Sequence, residues 1–578
     1  MYVDVVPNRK SPPAVLLRES FREGKAIRKR TLANLTDWEP AKVALLRRVL
    51  AGETLVSPEQ AFVVERSVPH GHVAAVLGTL RQLGVDRLLA SRPSRERDLV
   101  VAMIVARILD PASKLATARG LDAPTSTLAE TLGVSQIDED DLYGALDWLL
   151  ARQAKIEVAL ARRHLAEGTL VLYDVTSTYF EGRSCPLGRL GYSRDGKRDR
   201  LQVVFGLMTD PMGRPVAVEV FEGQTADPKT LAVQVAKLRE RFGLRRVVLV
   251  GDRGMITDAR IREDLQHHDG LDWITALRSP AIRKLLDSGT IQLSLFDDRG
   301  LVEITTEEYP DERLIVCKNP LLAAERARKR EDLLKATERD LDLIVTATRR
   351  ERQPLRGRDQ IALRVGRVLG RFKVGKHFLL TIAEESFRYE RDAQAIELEA
   401  QLDGIYVIRT NLAPERLGAE ATVKAYKSLA RVEQSFRTLK TVDLNVRPIY
   451  HRLGDRVRAH VLLCMLAYYV EWHLRDRLAP LLFQDDDRVG AEARRDSVVH
   501  RARRSLRAET KASRKRTEDG LPVHSFRSLL AVLATLCKNH VACPSAGGAA
   551  FDQYTAPDVL QQRAFDLLGL IPANVASN

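Results

Sequence analysis

Short apolar runs alternate with helical patterns across residues 168–280, and this alternation constrains the fold more than any other feature of the sequence. Residues 169–176 and 246–250 are nearly continuous apolar runs, which is typical of strands buried on both faces of a sheet. The turn-forming segment DPMGR separates two further runs and predicts a hairpin. The predicted elements, in chain order, are strands at 169–176, 201–209 and 215–222, a helix at 227–241, a strand at 246–250, a helix at 258–267 and a strand at 272–277.

This order of three strands, a helix, a strand, a helix and a strand is that of a ribonuclease H-like core. The pattern is interrupted after residue 280 by a hairpin, by a long charged helix at 320–349 and by an Arg/Lys-rich stretch at 352–376 around short strand-like runs. An apolar strand returns at 404–410. We therefore predict an α/β protein whose mixed-sheet catalytic core is split by an α+β insertion, with an N-terminal β/helical domain and a helical C-terminal region.

A chain of 578 residues exceeds the size of one hydrophobic core, so several domains are expected. The segment LAETLGVS (128–135) resembles the first helix and turn of a helix-turn-helix. The four carboxylates at 138–141 would repel phosphates, however, so a structural helical bundle is the favoured interpretation. The predicted divisions are a small β-rich segment (1–60), a helical domain that is a candidate for DNA binding (61–167), the first part of the core (168–280), the insertion (281–403), the second part of the core (404–480) and a basic helical region (481–578).

The composition indicates a partner and a compartment. A formal net charge of +14 and an isoelectric point near 9.5 favour a polyanionic partner, most simply nucleic acid. The five cysteines form no CxxC pair, which argues against a zinc site or a disulfide framework and favours reduced thiols in the cytoplasm. With nucleic acid as the expected partner, the predicted location is cytoplasmic and nucleoid-associated. No signal peptide is seen, and the most apolar run, at 461–470, is too short to span a bilayer, so membrane association is not expected.

Two aspartates lie in or at the end of the predicted strands. Asp174 stands in the middle of the first apolar run, where a charge is costly unless it is paired or binds a metal. Asp252 directly follows the run at 246–250, and the carboxyl ends of strands are where open α/β sheets place their sites. Either residue alone could be a turn or cap residue, but the two together indicate a site.

The stretch AYKSLARVEQSFRTLK (425–440) is predicted to be a helix that carries one carboxylate, Glu433. Tyr426 and Lys440 lie seven residues before and after it, close to two helical turns, and Arg437 lies one turn after it, so all four share a face. A solvated face with a Glu–Arg pair is the simpler interpretation of this stretch alone. Together with the two aspartates upstream, the stretch predicts the third side of a metal site.

Three converging carboxylates suit phosphoryl transfer at a phosphodiester. We expect them to hold two Mg²⁺ ions, for which Mn²⁺ could substitute, and these ions would activate the attacking oxygen and stabilise the leaving one. Asp174 is the best candidate to bridge both ions, while Asp252 and Glu433 would each complete one.

Four motifs of the chain resemble the DDE transposases of bacterial insertion sequences. They are LYDVTSTYFEG (172–182), GYSRDGKRDRLQVVFGLMTD (191–210), VGDRGMIT (250–257) and YKSLARVEQSFRTLK (426–440). The similarity is greatest to the subgroup with an insertion before the final glutamate. It implies that the metal-binding acids are Asp174, Asp252 and Glu433. It also implies cut-and-paste chemistry, in which water cuts the ends of the element and the freed 3′-hydroxyl attacks target DNA.

The family signature around the glutamate is Tyr, Arg, Glu and Lys on one helix. Tyr426, Glu433 and Lys440 occupy the matching places, but Leu429 stands where the arginine is expected. Arg431 is nearby but about 200° round the helix from Glu433, so it should point elsewhere. We expect Arg437 or Lys440 to hold the DNA phosphate instead.

Positive charge near the site predicts contacts with DNA phosphates. The loop at 183–200 joins the first two strands of the core and carries six Lys or Arg against two Asp, although it could simply be a solvated charged loop. Residues 352–376 and 501–517 are further candidates, and a disordered tail is an equally good interpretation of the latter. The residues predicted to bind DNA phosphates are Tyr426, Arg437, Lys440, Arg253, Arg194, Lys197 and Arg198.

We therefore predict a transposase that acts on double-stranded DNA, at both the element ends and the target, as a homodimer in a synaptic complex. Two alternatives stay open. One is a nuclease of the same fold that hydrolyses DNA without joining it, and the other is a non-catalytic DNA-binding repressor derived from a transposase. The presence of all three acids argues against the repressor.

Overall fold

The computed structural model describes the chain except for residues 10, 54–60, 124, 293–295, 297–299, 545–548 and 572–578. The chain divides into two compact units. The first consists of Met1–Val68 and Cys537–Ala556, and the second consists of Pro69–Leu536 and Pro557–Asn578. The predicted boundary after residue 60 lies at the end of a stretch outside the described residues, and the predicted divisions remain predictions.

The first unit contains two small three-stranded sheets. Strands β1 (Tyr2–Val6), β2 (Ala14–Glu23) and β3 (Ala26–Asn34) form one sheet in that order, and helix α1 (Pro40–Leu50) follows it. Strand β4 (Val63–Pro69) lies beside β15 (Cys537–Cys543), which pairs with β16 (Ala549–Tyr554). The strands between residues 2 and 34 agree with the predicted β-rich segment.

The second unit begins with helices. They are α2 (Gly71–Gln82), α3 (Val85–Leu89), α4 (Arg95–Leu109), α5 (Lys114–Asp122), α6 (Leu128–Leu132), α7 (Glu139–Leu150) and α8 (Gln153–His164). Two of the four acidic residues at 138–141 cap the start of α7, because the carboxylate of Asp138 accepts the N–H of Asp141 at 2.8 Å and the carboxylate of Asp141 accepts the N–H of Asp138. These carboxylates therefore start a structural helix.

Eight strands form the central sheet. Their bounds are β5 (Thr169–Tyr179), β6 (Gln202–Thr209), β7 (Pro215–Glu222), β8 (Val247–Val250), β9 (Leu271–Ala276), β10 (Leu301–Ile304), β11 (Arg313–Lys318) and β14 (Ile405–Thr410). The order is β10-β11-β14-β9-β8-β5-β6-β7. β8 lies parallel to both β5 and β9, whereas the other neighbours are antiparallel. The mixed sheet and the five predicted strands are confirmed, and their order is consistent with a ribonuclease H-like core.

The two crossovers of this sheet are helical but irregular. A 3₁₀ turn precedes α9 (Leu231–Ala236), and a π-helical turn over Lys237–Arg241 follows it. The short α10 (Asp258–Arg260) continues as a π-helical turn over Ile261–Leu265. Both predicted helices are therefore present, although neither is a regular α-helix throughout. Helix α11 (Ser279–Asp287) follows β9.

The segment predicted as an insertion is divided between the central sheet and a smaller cluster. Its hairpin, β10 and β11, joins the sheet because β11 pairs with β14. The remainder packs around its own hydrophobic cluster and consists of α12 (Pro320–Thr348), α13 (Arg358–Phe372), β12 (Phe378–Ile382), β13 (Phe387–Arg391) and α14 (Ala393–Ala400). The prediction of strand-like runs at 352–376 is wrong, since Ile361 and Val365 enter this cluster from a helix.

Three helices follow β14. Helices α15 (Ala419–Lys427) and α16 (Leu429–Arg437) meet at Ser428, and a π-helical turn over Thr438–Val442 ends the second. The long α17 (Gly454–Leu478) is buried along most of its length and packs against α4, α7 and β7. Among the residues that the structure describes, no helix is both long and apolar enough to cross a membrane.

The C-terminal part of the second unit is also helical. It contains α18 (Arg488–Ala493), α19 (Leu506–Arg514), α20 (Phe526–Ala534) and α21 (Val559–Leu568). The interpretation of residues 501–517 as a disordered tail is wrong, because α19 lies within them. Lys511 of this helix is buried and donates hydrogen bonds to Asp486 and to the carbonyl of Ala479, each at 2.9 Å.

Candidate active site

Asp174 lies on β5, and Asp252 lies two residues after the end of β8, the parallel neighbour of β5. β5 and β8 pair with Leu172 opposite Val250, and each aspartate is the second residue after this pair. Neighbouring strands lie about 4.8 Å apart. The hydrogen bonds of the sheet therefore bring the two aspartates side by side at the carboxyl end of β8.

Hydrogen bonds from the main chain orient both carboxylates. Asp252 Oδ1 accepts the N–H groups of Gly254 and Met255 at 3.0 and 2.8 Å. Asp174 Oδ1 accepts the N–H of Val175 at 2.7 Å. Each of these bonds engages one carboxylate oxygen, and carboxylate oxygens are the ligands that Mg²⁺ prefers.

The titration of Asp174 reflects its burial first and the charges of the other two predicted acids second. Burial is the main cause that raises the pKa of Asp174 to about 7, and the charges of Asp252 and Glu433 act in the same direction. Glu433 belongs to α16, which packs against β5 and β6. The rings of Phe436 on this helix and Phe205 on β6 meet edge to face with their centres 5.6 Å apart. The helix is thus held against the sheet, with Glu433 exposed near the two aspartates.

Tyr426 lies near the same carboxylates. Burial raises its pKa to about 12, and the charges of Asp252, Glu433 and Asp174 add to this shift. The prediction of one continuous helix over 425–440 is wrong, because the turn at Ser428 places Tyr426 on α15 and Glu433 on α16. The phenol therefore reaches the site from a separate helix and remains protonated at neutral pH.

Carboxylate oxygens are the donors that hard divalent cations prefer, and the three predicted acids would supply them. Their mutual influence on the pKa of Asp174 is repulsive, and a cation between them would relieve that repulsion. Within the part of the chain that the structure describes, no group of three or more His, Cys, Asp or Glu side chains is already arranged to hold a metal ion. The placement of the acids on the fold suits a metal, whereas their side chains do not form a closed ligand set.

Lys440 is buried behind the site. Its Nζ donates to Asp195 Oδ1 at 3.1 Å and to the carbonyl oxygen of Ser177. Arg447 contacts the other carboxylate oxygen of Asp195 at 2.6 Å. Burial lowers the pKa of Lys440, while the charge of Asp195 opposes that shift. The structure therefore gives Lys440 a protein partner on the basic loop, and its predicted contact with DNA remains a prediction.

The other predicted cations of the basic loop differ in their surroundings. Arg194 pairs with Asp227 at 2.5 Å, and its charge lowers the pKa of Asp174, so it lies close to the carboxylates. Lys197 and Arg198 are exposed to solvent. Phosphate binding by these three residues remains a prediction.

The cations on and around α16 divide into exposed and engaged ones. Arg437 and Arg253 are exposed, and Arg253 lies near the phenol of Tyr426, whose pKa it lowers. Arg431 donates to the carbonyl of Pro211 and so points away from the acids, which confirms the expectation from its position on the helix. Leu429, in the place of the family's arginine, is buried.

Two residues that position the site were missed in the sequence. The hydroxyl of Ser177 donates to the carbonyl of Tyr192 at 2.9 Å and accepts the N–H of Arg194 at 3.0 Å, so it fastens the basic loop to β5. A serine within a buried strand was a signal for such a role. Arg447, which pairs with Asp195, gave no signal because its partner is distant in the sequence.

Comparisons with known proteins place this geometry in a family. A model of the transposase DDE domain matches residues 167–470, and a model of the IS1634 family transposase N-terminal domain matches residues 3–61. A cryo-EM structure of the piggyBac transposase synaptic complex with hairpin DNA is similar over 81% of this chain and 82% of that chain, at 8% identity and a TM-score of 0.33, which is too low to argue from. No curated protein matches the chain. Because the first model spans more than half of the chain, the chain belongs to the DDE transposases of insertion sequences.

Proposed function

We propose that this transposase cuts DNA at the ends of an insertion sequence and joins the freed ends to target DNA by phosphoryl transfer at Asp174, Asp252 and Glu433. The observation that best supports the proposal is the register of β5 and β8, in which each aspartate is the second residue after the last pair, together with the packing of the Glu433 helix against β5. The raised pKa of Asp174 supports it, because strongly perturbed carboxyl groups cluster at functional sites.

The three acids would hold Mg²⁺ or Mn²⁺, with two ions as the expected number. When bound, such ions polarise the phosphodiester and lower the pKa of the attacking hydroxyl or water. The contribution of the chain is to fix the carboxylates on rigid elements. The main-chain N–H groups of Gly254 and Met255 orient Asp252, and α16 packed on the sheet orients Glu433.

The groups around the acids would bind and orient the DNA strand. The phenol of Tyr426, protonated at neutral pH, is able to donate a hydrogen bond to a phosphate oxygen beside the carboxylates. Arg253 and Arg437 are exposed cations that could contact the backbone on either side of the scissile bond. We assign Arg437 as the replacement for the arginine absent at Leu429, because Lys440 is already engaged by Asp195.

The exposed cations of the basic loop, Lys197 and Arg198, extend this surface next to β5. We assign them no contact with the bases, and they would position the duplex through its phosphates. Double-stranded DNA is thus the proposed partner, both as element end and as target. Joining requires two ends to be held together, for which a homodimer in a synaptic complex is the proposed assembly.

A joining assay tests the proposal directly. The full chain is incubated with Mg²⁺, a duplex that carries a pre-cut element end, and a supercoiled target plasmid. We expect a joined product, and we expect Glu433→Gln to reduce cleavage and joining roughly 100-fold or more while DNA binding is retained. The matched control is Glu415→Gln, which neutralises an exposed glutamate outside the site.

Each failure of this assay identifies a different alternative. Hydrolysis of the end without any joined product would identify a nuclease of the same fold. DNA binding without cleavage by the unaltered chain would identify a repressor. Cleavage that survives Glu433→Gln would remove that residue from the site.

A further inference from the structure

A cavity of about 880 Å³ lies on a different side of α16 from the candidate acids. One wall consists of Arg431 and Gln434 of this helix and Thr438 of the turn that follows it. The other walls come from the turn between β6 and β7, from α17 and from the residues on either side of α18. Gln434 lines the cavity and Glu433 does not. Successive residues of a helix point about 100° apart, so Glu433 faces a different direction. The cavity is therefore separate from the candidate active site.

Two guanidinium groups meet at one point of the cavity wall. Arg431 Nη1 lies 3.7 Å from the sulfur of Met212, and Arg488 Nη1 lies 3.8 Å from the same atom. Arg488 also bonds to Asp476 at 2.7 Å through its other terminal nitrogen. Among the described residues, Arg431 forms no ion pair with a carboxylate. The two positive charges repel each other, and an anion bound near both would relieve this repulsion.

The lining of the cavity has an excess of positive charge. Five arginines line it against three aspartates. Asp443 is already bonded to Arg475 at 2.5 Å, and Asp485 accepts the N–H and the hydroxyl of Ser505 at 2.8 and 2.7 Å. Arg488 is partly compensated by Asp476. Arg431 donates to the uncharged carbonyl of Pro211 and keeps its charge uncompensated among the described residues. Arg431 is therefore the guanidinium most available to an incoming anion.

Aromatic rings complete the wall. Phe483 is 41% exposed although it is wholly apolar, and Trp472 of α17 is only partly buried. Both rings line the cavity together with its five arginines. Aromatic faces bind the bases of nucleotides, while guanidinium groups bind their phosphates.

We propose that this cavity is a nucleotide-binding site, in which a phosphate binds beside Met212 within reach of Arg431 and Arg488 and a base packs on Phe483 and Trp472. Its volume is within the range of small-molecule sites. Two sources offer this chemistry, namely a free nucleotide and an unpaired nucleotide within a DNA strand. The proposal does not depend on the chain cutting or joining DNA.

Calorimetric titration of the full chain tests the site. The probes are dAMP, deoxyadenosine and inorganic phosphate, and we expect dAMP to bind more tightly than either of its parts. The double change Arg431→Met and Arg488→Met keeps the aliphatic stems and removes the charges, and it should weaken dAMP binding about tenfold or more. Phe483→Ser alters only an exposed ring and should also weaken it. Arg364→Met, an exposed arginine of α13 outside the cavity, is the matched control and should bind dAMP unchanged.

Competition distinguishes the two sources. A duplex with one unpaired nucleotide that displaces dAMP better than a fully paired duplex would identify a nucleotide within DNA. Binding of dAMP that neither duplex displaces would identify a free nucleotide. The proposal is overturned if the full chain binds no dAMP. It is equally overturned if the double variant and Phe483→Ser both bind dAMP as tightly as Arg364→Met does.

Discussion

Lys440 and Asp195 form a buried ion pair, with Nζ 3.1 Å from a carboxylate oxygen, that joins the π-helical turn after α16 to the basic loop. Arg447 contacts the same carboxylate at 2.6 Å, so one aspartate binds two cations. The loop also carries Lys197 and Arg198, which are exposed. Lys440 therefore links the loop to β5 through Asp195 and the carbonyl of Ser177, and we predict that this link holds the loop in place.

Lys440→Met should loosen this loop. The change keeps the aliphatic stem but leaves Asp195 with Arg447 alone, and removing one member of a buried pair is costly. We expect faster cleavage by trypsin after Lys197 and Arg198 under native conditions, measured by mass spectrometry of the fragments. An unchanged cleavage rate at both positions would show that the ion pair does not hold the loop.

Arg437→Met should weaken DNA binding without loosening the basic loop. Arg437 is exposed, and among the described residues it forms no ion pair, so its loss should leave the loop intact. We expect weaker binding of element-end DNA, with a smaller dependence on salt because one phosphate contact is lost. The measurement is fluorescence anisotropy at several salt concentrations. If the variant binds DNA as tightly as the unaltered chain, Arg437 does not make the phosphate contact and another cation must make it.

The sequence predicted the sheet and the placement of its two aspartates because local patterns determine both. Strands buried on two faces must be continuously apolar, so an aspartate within or directly after such a run stands out. The break at Ser428 was not predictable from Gly or Pro, since neither is present there. The hydroxyl of Ser428 instead donates to the carbonyl of Ala425 at 2.5 Å, a local bond that competes with the helix.

Long-range pairing was beyond the sequence patterns. Lys440 and Asp195 are distant in the chain, so the burial of the lysine could not be foreseen. The same holds for β11, which pairs with β14 across nearly a hundred residues and so joins the predicted insertion to the central sheet. The helix at Arg358–Phe372 was missed because its β-branched residues and two glycines are typical of short strands separated by turns. The helical spacing of Ile361 and Val365 was the signal that could have identified it.

Asp252→Asn should weaken metal binding. Asp252 is oriented by two main-chain N–H groups, so the variant keeps its shape while it loses the charge that attracts a cation. We expect the affinity of the full chain for Mn²⁺ to fall about tenfold or more, measured by calorimetry. Asp332→Asn, an exposed aspartate of α12, is the control and should bind Mn²⁺ normally. Equal affinities of the two variants would exclude Asp252 as a ligand.

Gly223→Ala should destabilise the base of the basic loop. A Cβ at this position would lie 1.9 Å from the carbonyl oxygen of Gln202 and 2.6 Å from that of Arg189, two residues that bond to each other across the loop. We expect a loss of roughly 1–3 kcal/mol in the free energy of unfolding, measured with urea. Gly366→Ala in α13 meets no atom within 4 Å and should be neutral or slightly stabilising. Similar unfolding curves for both variants would contradict the close approach.

Lys114→Met should remove a pH dependence of stability. Burial, followed by the charge of Arg107, lowers the pKa of Lys114 to about 7 from its ordinary 10.5. Between these two values the unfolded chain holds a proton on Lys114 that the folded chain has released, so this residue makes the free energy of unfolding rise with pH across that window. Below it, the buried charge is fully present and destabilises the fold.

The variant should therefore be more stable than the unaltered chain at pH 6, by roughly 1–3 kcal/mol, and this advantage should shrink as pH approaches 10. Unfolding temperatures measured by calorimetry at several pH values give the difference between the two chains, which cancels the titration of other groups. Lys155→Met, an exposed lysine of α8, should show no such trend. An advantage that stays constant with pH would mean that Lys114 acts through its packing alone.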